Sequence, residues 1–166
     1  MAELREATRE HHDRIERRVD LTARLASIED YRGLLARLHG FYAPLEVALA
    51  PHAGDIAGLD FHERRKASLL LDDIAALGGE EGPAAEALPG VASEEQALGV
   101  LYVLEGSTLG GAVIGRMARE QLGVTRERGA SFFGAYGGSV GSRWRAFGNA
   151  VEDHTGGTAP AEMREA

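Results

Sequence analysis

The chain has 166 residues, 44% hydrophobic and 27% charged, a composition suited to one soluble domain that buries roughly 70% of its unfolded surface around a single core. No charge-free apolar run approaches the ~20 residues of a membrane span, and a formal charge of −8 disfavours nucleic acid, whose binding depends on clustered Lys and Arg. The absence of cysteine excludes disulfides, thiolate ligands and cysteine nucleophiles, and an N-terminus without an apolar signal region makes the cytoplasm the expected location.

Apolar residues recur at helical spacing and no sustained period-two run calls a strand, so an all-α single domain over 1–166 is expected. The first predicted helix, about residues 3 to 19, is densely charged and sets Leu4, Thr8, His11, His12, Ile15 and Val19 toward one side. The second starts at Ser27, capped with Asp30, and carries Tyr31, Leu34, Leu35, Leu38, Phe41, Tyr42, Leu45 and Leu49 before Pro51. A third, from about Phe61 to Leu77, ends at Gly78-Gly79, and a proline-bearing loop follows over 80–92. Ser93 and Gln96 form a capping box that opens a long apolar helix, which Gly123 ends. Residues 129–141 mix glycine with Phe132, Phe133 and Tyr136 and read as an ordered turn, because aromatic rings seek burial. A helix over about Ser139 to His154 sets Trp144, Phe147 and Val151 inward, and Thr158 with Pro160 resembles one further helix start. Asp72-Asp73 and Glu80-Glu81 match no calcium loop and read as surface carboxylates. His52 and His62 lack the partners of a zinc site.

The informative stretch is Gly106-Ser107-Thr108-Leu109-Gly110-Gly111, inside the long apolar helix. Glycine forfeits roughly 1 kcal/mol against alanine in a helix, so three within six positions imply that the backbone must be approached closely there, with a kink expected nearby. Either another helix crosses at these positions or a flat ligand lies on the peptide planes. In the first helix, Arg5, His12 and Glu16 are spaced at two turns and one turn, so cation, imidazole and carboxylate share a side. Such a stripe suits a planar anionic metal cofactor: the imidazole binds iron, the carboxylate orients its other ring nitrogen, and the guanidinium meets a propionate.

Two segments, Leu4-Arg5-Glu6-Ala7-Thr8-Arg9-Glu10-His11-His12-Asp13-Arg14-Ile15-Glu16 and Leu101-Tyr102-Val103-Leu104-Glu105-Gly106-Ser107-Thr108-Leu109-Gly110-Gly111, resemble the proximal and distal helices of the heme oxygenases, most closely the bacterial biliverdin-producing type. The resemblance implies His12, eight residues after Leu4, as proximal ligand of a b-type heme, with Glu16 in the ligand's outer shell. It further implies Arg5 and Tyr102 at the propionates, Arg145 as a further basic contact, and Gly106, Ser107, Gly110 and Gly111 at the distal, catalytic side. The implied reaction uses O2 and an external electron donor, such as a ferredoxin or flavin reductase docking near Arg143 and Arg145, and cleaves heme to biliverdin, ferrous iron and CO. A biliverdin acceptor such as a phytochrome is a further implied partner. A membrane or nucleic-acid partner is not implied.

Two features depart from the family pattern. Ser107 stands where many members carry aspartate, and it can hold a water but cannot supply a carboxylate's charge. The family also continues with a helix beyond the end of this chain, so its last helix is expected to be missing. Both departures motivate an alternative, a non-catalytic heme carrier or sensor of the same fold.

Overall fold

The computed structural model describes residues 2–156, apart from the side chains of residues 2–4, 16 and 17. Within them the helices are α1 (Ala2–Arg18), α2 (Leu21–Arg24), α3 (Ile28–Ala53), α4 (Ala67–Ala76), α5 (Glu94–Leu122) and α6 (Val140–His154), and no strand is present among the described residues. The expected helix start at Thr158 and Pro160 lies outside them.

Helix α3 packs on α4 and α5, and α5 packs on α6. The core is made where their apolar stripes meet: Tyr31, Leu35, Leu45 and Leu49 from α3, Leu70 and Ile74 from α4, Leu98, Leu101 and Leu104 from α5, and Phe147 and Val151 from α6 are all at most 4% exposed. The three expected terminators are in place. Ser27 Oγ accepts from the Asp30 amide at 3.1 Å, Ser93 Oγ accepts from the Gln96 amide at 3.2 Å, and Gly123 closes α5 with φ of 68°. A further short helix, α2, was not expected from the pattern; Asp20 caps it by accepting from the Ala23 amide at 3.1 Å.

Pro44 sits inside α3 and has no amide to give the Gly40 carbonyl. That carbonyl instead accepts from the Ala85 amide at 2.9 Å, which pins the loop 80–92 across the helix. Gly40 permits the contact, since a Cβ there would stand 2.2 Å from the Pro83 carbonyl oxygen.

Three expectations need correction. The third helix starts at Ala67 rather than Phe61: His62–Arg64 form a 3-10 turn, Arg65 is extended at ψ 137°, and the buried Glu46 carboxylate accepts the Lys66 and Ala67 amides, capping α4 from the side of α3. Asp73 is no surface carboxylate. It is 2% exposed and accepts the Ser131 and Phe132 amides, each at 2.8 Å, holding the aromatic turn against α4. Ile15 of α1 and Val19 just beyond its end, both expected on the inner side, are 56% and 37% exposed, because so densely charged a segment offers little apolar surface to seat on the core.

Helix α5 is long and apolar enough to cross a membrane by length and composition, with a mean hydropathy of 1.6 over its most apolar window. Its residues Ala97 to Leu101 are buried within the protein, as in the central helix of a globular core. The helix passes through Gly106–Gly111 without interruption.

Candidate active site

The glycines of α5 divide by face. Gly111 and Gly115 meet the aromatic turn: a Cβ at Gly111 would stand 3.4 Å from the Phe133 carbonyl oxygen, and one at Gly115 would stand 3.2 Å from Phe133 Cβ. Gly106 lies under α6, where its Cβ would meet Trp144 Cη2 at 3.6 Å. Gly110 is different. A Cβ there would meet no atom within 4 Å, and its exposed flank is shared with Val103 and Val113, 45% and 50% exposed. Val103, Gly110 and Val113 fall within about 80° of arc around the helix, and Leu109 borders them, giving an exposed apolar strip that carries no side chain at Gly110. Both sequence readings of the glycines therefore apply, at different positions.

At the edge of that strip, Tyr102 is half-buried and packs its ring on Trp144, with centroids 5.6 Å apart. Ser107 Oγ donates to the Leu104 carbonyl at 2.8 Å, so in its 2.9 Å contact with Tyr42 it acts as acceptor and Tyr42 donates. Burial, helped by the Glu105 and Glu46 carboxylates, pushes the Tyr42 hydroxyl up to about 12, so Tyr42 keeps its proton at neutral pH.

His12 and Arg5 are exposed on α1, while the side chain of Glu16 lies outside the described residues. A surface hollow of about 400 Å³ on α1 is lined by Glu10, His11, Asp13 and Arg14, on the side of the helix away from Arg5 and His12. Arg145 is exposed on α6, with its Nε donating back to the Gly141 carbonyl at 3.3 Å. Neighbouring Arg143 pairs with Glu63 at 2.5 Å and lies 5.6 Å from the Tyr136 ring centroid, so part of its charge is already answered.

A sequence model of the heme oxygenase family matches residues 1–155. The chain belongs to the heme oxygenase family. A heme oxygenase of Xanthomonas campestris pv. campestris (strain 8004) is 38% identical over 94 residues, which cover 56% of this chain and 55% of that protein; the match thus spans about half the relative's length. The crystal structure of the NO- and CO-bound heme oxygenase from Neisseria meningitidis superposes with a TM-score of 0.84 at 24% identity, covering 99% of this chain and 81% of that one, which establishes the shared fold. Over Gly110 the rim of the strip is apolar and the missing Cβ leaves the helix surface free.

One part of the site was not legible in the sequence. Glu105, next to Gly106 and 1% exposed, accepts from Arg64 Nη1 at 2.5 Å, Lys66 Nζ at 2.6 Å and the Tyr136 hydroxyl at 2.8 Å. Burial lowers the Lys66 ammonium against the pull of Glu105, and burial together with the Glu105 carboxylate raises the Tyr136 hydroxyl. The sequence signal was a lone carboxylate in an otherwise apolar helical run, at core register with Leu101 and Leu98.

Proposed function

We propose that residues 1–166 act as one heme-binding domain that cleaves heme to biliverdin, ferrous iron and CO, using O2 and electrons from a ferredoxin or flavin reductase. The observation that carries this reading is the open, apolar, glycine-floored strip of α5 in a chain of this family. The heme, both cofactor and substrate, supplies the iron at which O2 is reduced and the carbon skeleton that is opened.

This chain's residues orient and exclude. His12 would ligate the iron through its imidazole, and Arg5, Tyr102 and Arg145 would hold the propionates and so influence how the heme is oriented. Gly110 leaves the helix surface bare on its open side, while Gly106 and Gly111 let Trp144 and Phe133 seat closely behind it, so this face of α5 would stand close to a bound heme. Val103, Leu109 and Val113 exclude water from that space.

Proton delivery falls to water held at Ser107. Its hydroxyl proton is committed to the Leu104 carbonyl and one lone pair to Tyr42, so its remaining lone pair accepts from a water whose second proton faces the strip. Tyr42 keeps Ser107 in that rotamer. Biliverdin then passes to an acceptor such as a phytochrome, or its release accompanies recovery of iron.

Hemin titration followed by reductant in air tests the whole reading. A one-to-one Soret band that decays to biliverdin absorption is the expected result. A stable band under the same conditions overturns the catalytic reading in favour of a carrier, and no band overturns the heme site.

A further inference from the structure

We propose that Glu105 is a positioning residue for the reaction above, clamped by Arg64, Lys66 and Tyr136 so that α5 presents Ser107 and Gly110 to the cofactor at one fixed rotation. The inference rests on the proposed function for its consequence, though the clamp itself is a property of this chain alone.

A helix segment bearing Gly106, Gly110 and Gly111 has few side chains to interlock with its neighbours, and apolar contacts on its buried side tolerate rotation and sliding by small amounts. Glu105 projects about 140° around the helix from Gly110, into the protein. There three donors converge on one carboxylate from two directions: Arg64 and Lys66 from the turn before α4, and Tyr136 from the turn before α6. Hydrogen bonds to a buried charge are directional and short, so they set angle as well as distance.

The surroundings reinforce the clamp. Lys66 Nζ also donates to the Arg64 carbonyl at 2.9 Å and lies 4.8 Å from the Tyr136 ring centroid, while its backbone amide is held by Glu46 of α3. Arg64 rests on Phe147 of α6 at 5.8 Å. Four helices are thus registered to one atom group beside Gly106. Stability alone does not account for it, because well-packed apolar residues replace buried ion pairs with little loss or with gain. What such residues do not supply is a unique rotation of the glycine-bearing helix.

The test uses the full chain. Glu105→Leu combined with Lys66→Met removes one buried charge of each sign, and Tyr136→Phe removes a single donor while leaving the ring. Without hemin, amide hydrogen exchange over residues 103–113, taken relative to the core amides of α3, is expected to quicken by about tenfold or more in the double variant, which melts lower than the parent because Arg64 loses its buried carboxylate partner, and by less in Tyr136→Phe. With hemin, the Soret band is expected to shift and the distribution of biliverdin isomers to broaden. Exchange and Soret position unchanged from the parent in the double variant overturn the proposal; if that variant does not fold, unchanged exchange in Tyr136→Phe overturns it. A parent that yields no biliverdin defeats the catalytic reading, while the exchange measurement still decides the clamp.

Discussion

Gly110 and Gly111 are adjacent and chemically identical, yet only one faces open space. At Gly110 an added methyl meets nothing within 4 Å, so Gly110→Ala should hold or raise stability, by up to about 1 kcal/mol from helix propensity, in thermal melts without hemin. Gly110→Leu should keep the fold and suppress biliverdin formation; retained turnover would show that the strip is not the distal wall. Gly111→Leu should destabilise clearly, since its side chain must displace Phe133, whose carbonyl oxygen already lies 3.4 Å from the Cβ position. His12 supplies the other residue-scale test: His12→Ala should abolish the spectrum of a histidine-ligated heme, and an unchanged spectrum would move the ligand to another residue. Spacing alone put Arg5, His12 and Glu16 on one side of a helix, but no spacing rule could separate the packing glycines from the open one.

Among the elements, those with long amphipathic stripes and caps were legible: α3, α5 and α6 follow from apolar periodicity and from Ser27, Ser93 and Gly123. The start of α4 was not, because its cap comes from Glu46 on another helix, nineteen to twenty-one residues earlier than the groups it binds. The aromatic turn was read as ordered from its rings, but its anchor, Asp73, looked like one of a surface pair. Asp73→Ala should leave the amides of Ser131 and Phe132 without their acceptor and cost about 2–4 kcal/mol in denaturant unfolding. A loss below half a kilocalorie would mean that water replaces the carboxylate. In Pro44 the sequence held a different kind of clue: a proline within a helix releases a carbonyl, and here that carbonyl binds Ala85 in the loop 80–92.

Over the whole molecule, buried hydroxyls set the response to alkali. Tyr42 is raised to about 12, and burial raises Tyr31 and Tyr136 still further above the ordinary value of 10.0. Each folded-state hydroxyl holds its proton more tightly than the unfolded one, so this stabilisation is complete below pH 10 and is lost as pH rises through the folded values. Lys66 acts in the opposite sense, its lowered value adding stability as pH climbs toward 10.5, and contributing no further slope above that point. Urea midpoints should therefore fall steeply above pH 10.5 while tyrosinate absorbance rises; a flat midpoint there would contradict the burial of the three hydroxyls. The amino-acid sequence by itself determined the helical class, the caps, the family resemblance and the candidate residues, because periodicity, capping and spacing are local and repeat every turn. Only the tertiary structure decided which glycine is open, where α4 begins, and that Glu105, Asp73 and Glu46 are buried acceptors, because each depends on donors delivered from a different element, and no local pattern encodes which distant groups will meet.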